Sequence, residues 1–174
     1  MPGDGYRTSP LRALLGLAAG AVTGAALVAL WFLWGNLPAF GVRWALDYRL
    51  EPTASVFVIA LIVWGVGLMA IGAPLWWLLH RLGFRHWLLA AATGALLTFL
   101  AGFAILTRGF EMIPPPSGST FSAEDAGGPT VINNRLTPHG WRTAAQSSLM
   151  LAVAGALVAL AVWRVAYRRV GSTG

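Results

Sequence analysis

The sequence contains no cysteine and no lysine. Without cysteine there is no disulfide, no thiolate nucleophile, no iron–sulfur cluster and no zinc site of the cysteine type. Acids are scarce as well: six Asp and Glu stand against twelve arginines, and charged residues make up only 10% of the 174 positions. Soluble domains carry roughly 25% charged residues and roughly 45–50% apolar ones, whereas this chain is 57% hydrophobic. A soluble fold of this length would lack the polar surface to cover such a core, so composition makes lipid the expected solvent.

What is present is organised by the arginines. The net charge of +6 does not suggest nucleic acid as a partner, because the arginines flank apolar runs instead of clustering into one basic stripe. An all-arginine cation set alongside abundant Ala and Gly suggests a GC-rich bacterial genome. Between the charges lie four long uncharged stretches, each reaching the ~20 residues that a helix needs to cross ~30 Å of hydrocarbon. In lipid the backbone must satisfy its own hydrogen bonds, which makes such runs helices. The prediction is an all-α polytopic membrane protein, a four-helix transmembrane bundle forming one membrane domain over 1–174. Its helices are expected at about 11–34, 54–79, 86–107 and 142–166, with loops over 35–53 and 108–141. The first run exceeds a signal-peptide core and ends in Trp31-Phe32-Leu33-Trp34 instead of small residues, so it is expected to be retained.

Local signals mark the borders. Ser9-Pro10 and Thr137-Pro138 each place a hydroxyl before a proline, the pattern of an N-cap followed by the first helical position. Pro74 lies inside the second run and predicts a kink. Trp31, Trp34, Trp76, Trp77, Trp87, Trp163 and Tyr167 sit near the ends of the runs, where indole and phenol rings prefer the headgroup level. Seven arginines fall on the side of the termini and of the 80–86 turn, five on the other; five of the six acids (Asp47, Glu51, Glu111, Glu124, Asp125) fall on that second side. The positive-inside rule then places both termini in the cytoplasm of a bacterium, with the chain in its inner membrane and 35–53 and 108–141 outside.

Small residues recur at a four-residue period in three runs: Gly16, Gly20, Gly24; Ala90, Gly94, Thr98, Gly102; and Ala144, Ser148, Ala152, Ala156. This spacing lines small side chains along one helix face, where two backbones can approach closely. Gly16, Gly20, Gly24, Ala90, Gly94, Gly102, Ser148 and Ala152 are therefore the expected helix-packing positions. His80 and His86 flank the 81–85 turn and are the weak candidates for ligating a metal or haem. The bland alternative, interfacial side chains beside lipid phosphates, is preferred, and His139 belongs to the opposite side. Phe40, Trp44 and Tyr48, with Arg43 and Asp47 between them, suggest a short interfacial helix. The 108–142 connector carries Pro114-Pro115-Pro116 and Gly127-Gly128-Pro129. It is expected to be either a flexible link or a docking site for a partner protein.

The apolar cores of the runs hold no Asp, Glu, Lys or Arg. Ion-coupled transporters keep such a group at depth, and intramembrane chemistry needs a nucleophile, an acid–base pair or a metal within reach of water. Small drug-exporting four-helix proteins resemble this chain in size and hydropathy but depend on a glutamate in the first helix. Here that region reads Leu14-Leu15-Gly16-Leu17, and no family follows from the likeness. The expectation is a non-catalytic accessory or scaffold component with no catalytic residues, no cofactor and no soluble substrate. Its partners would be the lipid bilayer and either further copies of itself or a larger membrane complex. The alternative is a small oligomeric channel or transporter for a neutral or apolar solute, for which Thr23, Thr93, Thr98, Gln146, Ser147 and Ser148 supply only a thin polar stripe.

Overall fold

The computed structural model describes residues 6–84, 86–113 and 120–169, with the side chains of 6–7, 35–50 and 168–169 left out of account. The chain is mostly helical. In order it forms β1 (Tyr6–Arg7), α1 (Pro10–Gly67), a π-helical turn (Leu68–Gly72), α2 (Ala73–Arg81) and α3 (Trp87–Leu106). There follow β2 (Ala123–Asp125), β3 (Gly128–Ile132), β4 (Arg135–Leu136), α4 (Pro138–Ala166) and β5 (Arg168–Arg169). Four stretches are long and apolar enough to cross a membrane: Pro10–Trp34, Glu51–Arg81, Trp87–Leu106 and Pro138–Ala166. These are the four runs that charge spacing delimits.

Both proline-led starts are capped as expected. Ser9 Oγ accepts from the Arg12 N–H at 3.3 Å, and Thr137 Oγ1 accepts from the Gly140 N–H at 3.0 Å. Around Pro74 the structure meets the missing N–H with a π-helical turn just ahead of it, in which the Ala73 N–H reaches back five residues to the Leu68 carbonyl. Such single turns inside α-helices absorb one extra residue.

Two expectations are corrected. The 35–53 segment is not a loop: its backbone is helical and continues α1 without interruption. Helical hydrogen bonds are the cheapest way to keep backbone groups satisfied close to an apolar phase, and the segment has only Gly35, Pro38 and Gly41 as breakers before Pro52. α1 is nevertheless not straight. A Cβ added at Gly24 would meet the ring of Trp64, although a straight helix would hold positions so far apart in sequence roughly 60 Å from each other. The side chains of Phe40, Arg43, Trp44, Asp47 and Tyr48 lie outside the described residues, as do Arg85 and Pro114-Pro115-Pro116. Second, the 108–141 connector is not merely a loop, because it builds a sheet of its own.

The chain divides into two compact units. The first comprises 1–94 and 156–174. Here α1 lies against the last turns of α4, with buried Ala21, Ala25 and Ala29 beside the glycine positions and Val158, Val162 and Ala166 on α4. β1 pairs antiparallel with β5, Tyr6 opposite Arg169 and Arg7 opposite Arg168, so the entry to the first span is stitched to the exit of the fourth.

The second unit is 95–155. Its three-stranded antiparallel sheet has the order β2-β3-β4. Asn133 and Asn134 connect β3 to β4 with φ of 49° and 66°, the left-handed pair of a two-residue type I′ hairpin that asparagine tolerates. Thr107, fully buried, closes α3 by donating to the Phe103 carbonyl at 2.7 Å and accepting from the Phe110 N–H at 3.1 Å. Arg108, Gly109, Phe110 and Glu111 then all take positive φ, a left-handed turn that reverses the sense of the helix it ends.

Candidate functional site

The packing positions behave differently from one another. A Cβ added at Gly16 would stand 2.9 Å from the Val162 carbonyl oxygen, one at Gly20 would stand 2.5 Å from Val162 Cγ2, and one at Gly24 would stand 2.5 Å from Cδ2 of the Trp64 ring. Gly16 and Gly20 thus face α4, and Gly24 faces the second span. In the second unit Gly102 is buried, and a Cβ there would meet Leu151 Cδ1 at 2.7 Å and Ser148 Oγ at 3.7 Å. Ser148 is fully buried and returns its hydroxyl to the Ala144 carbonyl at 2.7 Å. Ala90, Gly94 and Ala152 are half-buried.

His80 and His86 are occupied by their neighbours. His80 Nδ1 lies 3.0 Å from the Tyr167 hydroxyl, and its ring stacks on Trp76 at 5.4 Å. His86 Nδ1 accepts from the Leu88 N–H at 3.2 Å, and its ring stacks on Trp87. Arg81 lies 4.0 Å above the Trp77 ring, a cation–π contact at the end of α2. No group of three or more His, Asp or Glu suited to a metal occurs among the described residues.

Sequence spacing did not reveal the polar centre of the second unit. Asp125 ends β2, where Ala126 and Gly127 turn the chain into β3. Its Oδ1 accepts from the Gly127 N–H at 2.7 Å and lies 2.7 Å from His139 Nε2 in the first turn of α4. Thr143, one turn further along α4, donates to Oδ2 at 3.4 Å. The hydrogen bond from His139, and next that from the Gly127 backbone, hold the Asp125 carboxyl below the ordinary carboxylate value. Gly127 is needed here because a Cβ would collide with the His139 ring.

Backbone contacts dock the sheet on the same helix end. A Cβ at Gly140 would run into the Thr130 carbonyl, so only glycine lets β3 lie this close to α4. The Thr137 N–H bonds to that carbonyl at 3.0 Å, and Thr137 Oγ1 donates to the Pro129 carbonyl at 2.5 Å. Arg108 bonds the Asn134 carbonyl, and Glu111 accepts from the Leu136 N–H at 2.5 Å. Asn134 Oδ1 accepts from the Phe121 N–H at 2.9 Å. The result is a rigid sheet module with exposed Phe121 and Ile132 on its surface. Glu124 stands exposed on β2 beside Asp125 and takes no part in this clamp.

The Asp125–His139 pair could relay a proton, but the hydroxyl nearest to it, Thr143, donates to the carboxylate instead of facing the imidazole as an activated nucleophile would. The arrangement is a clamp. In comparisons with protein-family models, with curated proteins and with solved structures, the chain matches none.

Proposed function

We propose that this chain is a non-catalytic component of a bacterial inner membrane, crossing it four times as a helical bundle with both termini in the cytoplasm, and that it works by contact through the 120–143 sheet module on the outer side. The observation that carries this reading is the way the module is built. Four side chains (Arg108 and Glu111 just past α3, Thr137 and His139 at the start of α4) and a glycine close approach fix a short sheet to these helix ends, while Phe121 at 59% and Ile132 at 48% remain exposed. A connector that only joined two spans would not need this degree of fixing. Rigid presentation of apolar side chains outside the lipid suits recognition of another protein, because little ordering entropy is then lost on binding.

The pore alternative is less well supported. The Thr23 hydroxyl donates to the Ala19 carbonyl at 2.8 Å and the Ser148 hydroxyl to that of Ala144. Two of the six polar residues of that thin stripe are thus turned back on their own helix.

The test is purification in mild detergent of the full chain and of a variant in which 121–136 is replaced by a Gly/Ser linker. The proposal expects a stoichiometric membrane or periplasmic protein with the first and its loss with the second, while both keep the same helix content. A homo-oligomer that moves solute in liposomes, with or without the module, would overturn it.

A further inference from the structure

The left-handed turn that ends α3 separates its side chains by polarity. Arg108 and Glu111 reach the sheet module, Arg108 bonding the Asn134 carbonyl and Glu111 accepting from the Leu136 N–H at 2.5 Å. The apolar residues of the same segment are left uncovered: Phe110 is 45% exposed, Met112 78% and Ile113 59%. They continue the exposed Ile105 and Leu106 in the last turn of α3. Holding the backbone in the left-handed region costs energy at Arg108, Phe110 and Glu111, each of which carries a Cβ. Strain of this kind needs a compensating gain, and three apolar side chains facing water offer none.

The backbone supplies a second, independent observation. From Thr107 to Ile113 every N–H has an acceptor within the chain. Thr107 donates to the Phe103 carbonyl at 2.9 Å, Arg108 to that of Ile105 at 3.2 Å and Gly109 to that of Ala104 at 2.6 Å. Phe110 donates to Thr107 Oγ1 at 3.1 Å. Glu111, Met112 and Ile113 donate to the carbonyls of Thr107, Gly109 and Arg108 at 2.7, 3.2 and 3.2 Å. A turn in water can leave such groups to the solvent, whereas a segment that meets hydrocarbon must satisfy them internally. Position agrees. The apolar stretch Trp87–Leu106 ends immediately before Thr107, so α3 delivers the turn to the border of any bilayer it crosses.

We infer that the 108–113 turn is a lipid anchor. Phe110, Met112 and Ile113 enter the boundary between headgroups and acyl chains, while Arg108 and Glu111 tie the sheet module to the turn and so to the bilayer surface. Amphipathic segments divide in this way at an interface, with the apolar side roughly 5–10 Å into that boundary. Burial of the three side chains in lipid supplies the gain that offsets the left-handed backbone. The occupant is lipid and not a protein, because these side chains prolong the exposed apolar surface of the span itself, at Ile105 and Leu106. The inference rests on α3 crossing a bilayer and is independent of any partner of the sheet module.

The chain has no cysteine, so single cysteines carrying a nitroxide label report one position at a time in the full chain, reconstituted in phosphatidylcholine vesicles. Electron paramagnetic resonance compares collisions with oxygen, which concentrates in lipid, against those with a water-soluble nickel chelate. Labels at Met112→Cys and Ile113→Cys should show an oxygen-to-nickel ratio several-fold above that at Glu124→Cys, which stands exposed on the module. Ile105→Cys, 77% exposed on α3, tests the span separately and should also report lipid. Ratios at 112 and 113 no higher than at 124, with 105 in lipid, would overturn the anchor and leave the span intact. A low ratio at 105 as well would remove the span, and the anchor with it. Few collisions with either reagent, together with dipolar broadening at 112, would show a second copy covering the turn and equally overturn the inference.

Discussion

The two units of this chain are held together by opposite means. In the first, α1 meets α4 and the second span through positions where a side chain is missing: Gly16, Gly20 and Gly24 admit Val162, Leu68 and Trp64 to the helix surface. In the sheet module almost every contact is polar and directional, from the Asn133–Asn134 turn to the Asp125–His139 pair. With the four apolar helices in the bilayer as proposed, lipid explains the difference. Between spans there is no water to displace, so close dispersion contact is what favours association. Outside the lipid a sheet of ten residues cannot bury enough apolar surface and relies on caps, turns and a carboxylate.

The sharpest way to break the first mode is Gly24→Leu. The new side chain would have to displace the Trp64 ring, and overpacking of this kind costs about 1–3 kcal/mol. Thermal unfolding in detergent should show the loss, with the sheet module unchanged. An unaltered midpoint would mean that the glycine face does not hold the spans. The matching break in the second mode is Gly140→Val, which pushes β3 off α4. Hydrogen exchange should lose protection over 123–136 while the spans stay protected, and uniform loss throughout the chain would deny the module its separate basis.

A smaller effect comes from pH. The His139 and Gly127 hydrogen bonds depress the Asp125 carboxyl below its ordinary 3.8. A carboxyl that is more acidic folded than unfolded stabilises the fold above the unfolded value and loses that contribution as pH falls through the folded one. Protection of the β2–β3 hairpin should therefore be constant above 3.8 and decline as pH falls below it, and Asp125→Asn should abolish that dependence. A decline identical in the Asn variant would assign it to other carboxyls. The smallest expected effect sharpens the contrast: a Cβ at Gly65 meets nothing within 4 Å. Gly65→Ala should thus be neutral or stabilise by up to about 1 kcal/mol through helix propensity, in contrast to Gly24 on the same helix.

The spans were legible because lipid imposes long-range regularity. Uncharged runs, a hydroxyl before Pro10 and before Pro138, and four-residue glycine spacing are each visible without knowing any partner. The sheet module was not legible for the converse reason. Strands of two to five residues show no period long enough to recognise, and Gly127-Gly128-Pro129 has the composition of a flexible link. The pairing that closes it joins residues 14 apart, Asp125 and His139, at a spacing that matches no motif. The Asn133–Asn134 pair was the one available signal. Helical continuity through 35–53 was missed because the runs were bounded by charges such as Arg43 and Glu51, and charge spacing marks where an apolar run ends, not where a helix does.

The π-helical turn at Leu68–Gly72 sets the phase of everything that follows it. Each residue of an α-helix turns the chain by about 100°, so the extra residue in this turn rotates α2 by that angle relative to the helix before it. That rotation is what aims Trp76 and His80 at Tyr167. A single-residue deletion between Leu68 and Gly72 would heal the backbone into an uninterrupted α-helix of unchanged hydropathy, yet turn this aromatic edge toward the surroundings. At this position the count of residues matters more than their identity, and a lineage that lost one would keep its membrane span while losing the contact between the second span and the end of the fourth.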